Sequence, residues 1–120
     1  MREILFRGKR IDNGEWVFGD FQLYSLQCLI IERRTKKKYK VNPKTVGQYI
    51  GLTDKNGTKI FESDIVDILV KNEEIGVIVY DDGGFLVEAD RFCVDFHTNI
   101  NGTDVEVIGN IYDNQELLNN

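Results

Sequence analysis

The chain has 120 residues, of which 42% are hydrophobic and 29% charged, and its formal net charge is −5. This balance predicts one soluble globular domain over residues 1–120 and excludes a disordered chain, which would contain fewer aromatic and β-branched residues. No apolar run approaches the roughly 18 residues of a membrane span, and residues 1–10 lack the apolar core of an export signal. We therefore expect no membrane partner and a cytoplasmic location, where Cys28 and Cys93 stay reduced.

The charges are segregated along the sequence. Residues 1–46 contain 11 Lys and Arg and 5 Asp and Glu, a net charge of +6. Residues 47–120 contain 4 Lys and Arg and 15 Asp and Glu, a net charge of −11. This division predicts either two surfaces with different partners or a homo-oligomer in which the basic part of one copy meets the acidic part of another.

The predicted elements, in chain order, are nearly all strands. Asn-Gly and Asp-Gly dipeptides separate several of them, because tight hairpin turns need positive φ at their central residues. The first hairpin is predicted from residues 4–9 and 15–23, and the second from residues 28–33 and 38–41. Further strands are predicted at residues 46–52, 58–61, 65–70, 76–80, 85–89, 93–96 and 105–111.

Many short strands with tight turns predict a mainly β fold, either a small barrel or a sandwich. The acidic step at Ser63-Asp64 into a strand, followed by two tight turns, is typical of an SH3-like β-barrel, which we expect over residues 45–111. Residues 1–44 would add an N-terminal β section, and residues 112–120 a tail with one short helical turn. Such a fold implies no particular function.

Sequence blocks spread over nearly the whole chain carry a family resemblance. The most specific is Thr45-Val46-Gly47-Gln48-Tyr49 followed shortly by Asp54-Lys55-Asn56-Gly57, and a further block is Val107-Ile108-Gly109-Asn110-Ile111-Tyr112. In these blocks the chain resembles the YopX family of bacteriophage and prophage proteins. The resemblance implies a phage origin and action in the bacterial cytoplasm, but it supplies no activity and no catalytic residues. The family usually has Gly where this chain has Ser63, so a positive φ there would strain the backbone by roughly 1 kcal/mol.

Residues suited to catalysis do not form a recognisable pattern. His97 is the only histidine, and no serine lies in a nucleophile-elbow sequence. On one strand, Cys93 and His97 would stand about 13 Å apart, which is too far for shared metal coordination. Asp64 and Asp81 have the context of turn residues. We therefore predict no catalytic residue, metal or cofactor, and a metal-dependent enzyme built on the acidic half is the alternative that the residues favour least.

The basic segment of residues 33–40 is the main signal for a partner. One interpretation is a solubilising hairpin tip whose charges prevent edge-to-edge pairing. The other is nucleic-acid binding, in which cations contact phosphates and an aromatic ring stacks on a base. An exposed Trp16 would also mark a partner site. Our leading hypothesis is a non-catalytic module that binds a phage or host protein, with nucleic acid as the alternative ligand. The candidate binding residues are Arg33, Arg34, Lys36, Lys37, Lys38, Tyr39, Lys40 and Trp16.

Overall fold

A computed structural model of the protein describes residues 3–70, 74–90, 93–96 and 100–118. The chain divides into two compact units, Met1–Tyr49 and Ile50–Asn120. Residues 47–49 carry no charge, so the structural boundary coincides with the change in charge, and the first unit has a net charge of +6 and the second of −11. The fold is mainly β, as predicted, with antiparallel sheets.

The first unit contains both of the hairpins predicted from the sequence. Its strands follow the antiparallel order β4-β3-β2-β1-β5. A 3-10 turn over Pro43–Thr45 connects β4 to β5. The strands are β1 (Phe6–Lys9), β2 (Trp16–Tyr24), β3 (Gln27–Ile31), β4 (Lys38–Lys40) and the beginning of β5 (Gly47–Thr53).

Strand β2 changes its partner at Gly19. Its first half, Trp16 to Gly19, pairs with β1, and its second half, Asp20 to Tyr24, pairs with β3. A Cβ atom at Gly19 would lie 1.9 Å from the carbonyl oxygen of Ile31, so this close approach of β2 and β3 requires glycine. The exchange of partners therefore depends on one residue without a side chain.

The β2–β3 turn contains no glycine. Ser25 and Leu26 occupy its two central positions with φ of 50° and 66°. Such a two-residue hairpin turn usually contains Asn, Asp or Gly, so no residue of this turn predicted it. The turn places Leu26 at the tip of the hairpin, where its side chain is 94% exposed.

The core of the first unit lies against β3 and the end of β4. Ile30 and Val41 are almost completely buried. The chain that follows β1 also runs beside this region, because Arg10 forms an isolated bridge with Val41 and the N–H of Ile11 donates to the carbonyl of Lys40. The C-terminal end of β4 is therefore held from two sides.

The second unit contains the end of β5 and an antiparallel sheet in the order β10-β9-β8-β7-β11. Its core is formed by alternate apolar residues of these strands, among them Ile68, Ile78 and Val87, which are fully buried. Short 3-10 turns lie at Gly102–Asp104 and Gln115–Leu118. The strands are β6 (Lys59–Phe61), β7 (Asp64–Ile68), β8 (Glu74–Asp81), β9 (Gly84–Ala89), β10 (Cys93–Asp95) and β11 (Val105–Asn110).

The prediction of an SH3-like barrel over residues 45–111 is not confirmed. Among the described residues, the five-stranded sheet begins at β10 and ends at β11, and no pairing joins these two strands. The expected local features are present, because Ser63 has a φ of 75° and the Asp82-Gly83 turn has φ values of 50° and 79°. Such turns specify neighbouring strands, whereas closure of a barrel depends on strands distant in sequence.

Candidate functional site

The predicted basic segment forms the β3–β4 turn and strand β4. The turn is closed by two backbone hydrogen bonds: the N–H of Lys36 donates to the carbonyl of Glu32 over 2.8 Å, and the N–H of Glu32 donates to the carbonyl of Lys37 over 2.9 Å. Lys36 has a φ of 64°, which lets the chain reverse there. The basic side chains therefore project from a folded hairpin.

Arg33 serves the fold of the hairpin. Its guanidinium group lies 3.0 Å from the carboxylate of Asp20 and 3.2 Å from that of Glu3. It also donates to the backbone carbonyl of Ile4. These contacts tie the start of the turn to β2 and to the N-terminal segment, so Arg33 is occupied by neighbours of its own chain.

The other five cations of the segment are exposed, and none of them forms an ion pair with another described residue. Lys38 and Lys40 alternate along β4, so both side chains lie on one face of the sheet and their Cα atoms are roughly 6.6 Å apart. Unpaired exposed cations at this spacing are available to an anionic ligand. The five residues are Arg34, Lys36, Lys37, Lys38 and Lys40.

Tyr39 lies on the opposite face of β4 and is half-buried. The guanidinium carbon of Arg10 stands 4.6 Å from the centroid of its ring. Asp12 holds Arg10 in place through hydrogen bonds of 2.9 and 2.6 Å, and this side-chain bond raises the pKa of Arg10 and lowers that of Asp12. Lys38 and Lys40 complete the lining of a shallow cleft of about 380 Å³ here. One face of the Tyr39 ring is thus covered by Arg10, and stacking of a base on this ring stays a prediction.

Trp16 is also covered by cations. It is half-buried, with the guanidinium carbon of Arg7 at 4.5 Å and the ammonium group of Lys9 at 5.5 Å from its ring. The more exposed aromatic ring is that of Tyr24, which is 61% exposed. The register of β2, β3 and β4 places Tyr24 on the same face of the sheet as the two lysines of β4. Sequence analysis missed this residue, because its face follows only from the unrecognised β2–β3 turn.

The buried carboxylates of the acidic unit bind backbone groups. Asp54 accepts hydrogen bonds of 2.9 Å from the N–H groups of Asn56, Thr58 and Val107. Burial raises the pKa of Asp54, but the three backbone donors outweigh it, so the net pKa lies below the ordinary value. Asp64 accepts from the N–H of Phe61 over 2.7 Å. These side chains therefore stabilise a turn and the entry into β7.

The remaining candidate groups are the two cysteines and His97. His97 is not among the described residues. Cys28 is half-buried and Cys93 exposed, and both are free thiols. Within residues 3–70, 74–90, 93–96 and 100–118, no group of three or more His, Cys, Asp and Glu side chains could hold a metal ion. The same part of the chain contains no helix of the length and apolar character that a membrane crossing requires.

Comparison with known proteins identifies the family. The model described as YopX protein matches residues 5–119, so the chain belongs to the YopX family. A similar solved structure is that of protein EF1440 from Enterococcus faecalis, with 25% sequence identity and a TM-score of 0.60 over 98% of this chain and 99% of that one. Comparison with curated protein sequences found no match.

Proposed function

We propose that this member of the YopX family is a non-catalytic interaction module that binds single-stranded nucleic acid through its first unit. The observation that carries the proposal is the set of five exposed cations without ion pairs on the β3–β4 hairpin. Exposed cations that form no ion pair can neutralise phosphates and release the counterions condensed on them. This release is the main source of sequence-independent affinity for nucleic acid. The net charge of +6 on this unit acts in the same direction.

The arrangement on the sheet favours a single strand over a duplex. Lys38 and Lys40 lie on the same face as the exposed ring of Tyr24. Single-strand binding surfaces combine a cationic track with aromatic rings on which successive bases stack. A paired duplex offers no free base to Tyr24, so only a single strand would use both parts of the surface.

The proposed module is non-catalytic and acts in the cytoplasm. The backbone hydrogen bonds of Asp54 and Asp64 support a non-catalytic role, because these carboxylates are already used by the fold. The resemblance to phage and prophage proteins supports an accessory role in the cytoplasm of an infected bacterium. A phage or host protein with an acidic surface is the competing ligand for the same cations.

A salt titration tests the proposal. With fluorescently labelled oligo-dT, five phosphate contacts predict a salt slope near −3.5 and a roughly 100-fold loss of affinity between 50 and 200 mM salt. The double variant Lys38→Gln/Lys40→Gln should reduce the slope by about 1.4. The matched control, Lys55→Gln/Lys59→Gln, removes the same charge from the second unit and should leave the slope unchanged.

The aromatic contribution is tested separately. Tyr24→Ala should weaken oligo-dT binding by about 5- to 150-fold, which corresponds to the loss of one stacked base. Tyr80→Ala, at a residue that is 55% exposed in the second unit, is the control. Equal loss in both tyrosine variants, or tighter binding to a duplex of the same length, would remove the single-strand proposal. No binding by the unmodified protein at low salt would leave the acidic protein as the ligand.

A further inference from the structure

The second half of β2 has an open edge. Strand β1 pairs only with Trp16 to Gly19, whereas β3 pairs with the other side of β2 from Asp20 to Tyr24. Within the described residues, no strand or loop backbone bonds to the outer edge of Phe21–Tyr24. Such an edge presents backbone donors and acceptors that another chain can use.

The geometry of the turn identifies the groups that face outward. In a two-residue hairpin, the residues flanking the turn form a hydrogen-bonded pair, here Tyr24 and Gln27. Bonded and non-bonded pairs alternate along an antiparallel ladder, so Phe21 and Leu23 direct their N–H and C=O groups away from β3. The open edge therefore offers two donors and two acceptors.

This edge lacks the features that normally prevent strand pairing. Residues 21–31 contain no Asp, Glu, Lys or Arg and no Pro. Phe21 is 38% and Leu23 64% exposed. Other edge strands are protected: β4 carries two lysines, β6 has only three residues and begins at Lys59, β10 ends at Asp95, and β11 is interrupted by a register shift between Val107 and Gly109. An exposed apolar edge without charge is a template for association.

We propose that a second copy of this chain pairs with the edge, β2 against β2, in antiparallel orientation about a two-fold axis at Gln22. Phe21 of each copy would then face Leu23 of the other, and the two pairs would form four backbone hydrogen bonds.

The chemistry of the edge favours a second copy over a charged partner. A two-fold contact brings each patch onto itself, so it requires a surface that is self-complementary and free of like charges. The four edge residues 21–24 carry no charge and meet this condition, whereas the basic hairpin and the acidic unit would repel their own copies. Standard interfaces bury about 800 Å² per partner with 20–30 residues, so a contact limited to the edge at residues 21–24 buries far less and gives a weak, reversible dimer.

Sedimentation velocity across protein concentrations tests the inference. The mass should rise from that of one chain toward twice that value as the concentration approaches about 1 mM, independently of salt. Leu23→Lys introduces a charge on the edge and should keep the protein monomeric. Ile11→Lys adds the same charge at a residue 66% exposed elsewhere in the unit and should dimerise like the unmodified protein. A monomer at every concentration, or equal behaviour of the two lysine variants, would overturn the proposal.

A cross-linking variant tests the register without depending on the Leu23 substitution. Facing residues on the axis have Cβ atoms roughly 4.5–5.5 Å apart, close to the separation that a disulfide needs. In a Cys28→Ser/Cys93→Ser background, Gln22→Cys should form a covalent dimer on mild oxidation, whereas Lys36→Cys, on the exposed turn, should not. Cross-linking at equal rates, or in neither variant, argues against the proposed axis.

Discussion

Asp54 is predicted to be the most important single polar side chain for the stability of the second unit. Only 2% of it is exposed, and its carboxylate accepts three backbone hydrogen bonds. Asp54→Ala would leave the N–H groups of Asn56, Thr58 and Val107 without this acceptor. Asn56 and Thr58 are exposed loop residues, so their N–H groups can turn to water at a cost of about 0.5–1 kcal/mol each. Val107 lies half-buried in β11, where an orphaned donor costs about 1–3 kcal/mol.

The expected loss in the free energy of unfolding is therefore about 3 kcal/mol, well below the sum of three charged hydrogen bonds.

The stabilisation by Asp54 also depends on pH. Because the pKa of Asp54 is lowered in the folded state, the unfolded chain takes up the proton first as the pH falls. The stabilisation is fully present above the ordinary Asp pKa of about 3.9 and is lost as the pH decreases through the folded pKa.

Urea unfolding followed by far-ultraviolet circular dichroism measures both effects. Asp81→Asn, an exposed residue at the end of β8, is the matched control and should change stability by less than about 0.5 kcal/mol. Asp54→Asn keeps the shape of the side chain but should remove its part of the acid dependence. A loss below 1 kcal/mol in Asp54→Ala, or an unchanged acid dependence in Asp54→Asn, would refute the role assigned to the carboxylate.

Two further predictions concern backbone conformation. Ser63→Gly should stabilise the protein by roughly 1 kcal/mol, because Ser63 adopts a φ of 75° that glycine tolerates without strain; Ser63→Ala is the control and should give no gain in the thermal midpoint. Gly19→Ala should destabilise by about 1–3 kcal/mol or more, because its Cβ would lie 1.9 Å from the carbonyl oxygen of Ile31. Gly84→Ala, where a Cβ meets no atom within 4 Å and φ is not positive, is the matched control; an equal loss in both variants would contradict the clash.

The sequence was informative where structure is set by neighbouring residues. Strand periodicity and turn residues predicted the mainly β fold and both hairpins of the first unit, the first around Asn13-Gly14 and the second around Thr35-Lys36-Lys37. The Ser25-Leu26 turn was missed because neither residue is a usual turn former, and its positive φ values follow from the pairing of β2 with β3. The barrel prediction was not confirmed, because closure depends on pairing between distant strands.

The candidate site was likewise predictable only where it does not depend on strands distant in sequence. The exposed lysines of β4 could be predicted from charge alone, since ammonium groups are rarely buried. The covering of the Tyr39 and Trp16 rings by arginines could not be predicted. Arg10 reaches Tyr39, and Arg7 reaches Trp16, only through pairing of strands distant in sequence. The role of Arg33 likewise depends on Asp20 and Glu3, which only the fold brings near.

The two proposed surfaces of the first unit use different parts of β2 and can fail independently. Nucleic acid would contact the sheet face that carries Tyr24, Lys38 and Lys40, whereas the second copy would bind the backbone edge at Phe21–Tyr24. A dimer would present two basic faces. A long single strand that reaches both would bind more tightly than a short one, because its second contact is intramolecular. Compared with Ile11→Lys, which adds the same charge, Leu23→Lys should therefore weaken binding of long oligonucleotides and bind short ones equally. Weakening of both would instead indicate that the substitution disturbs the cationic face itself.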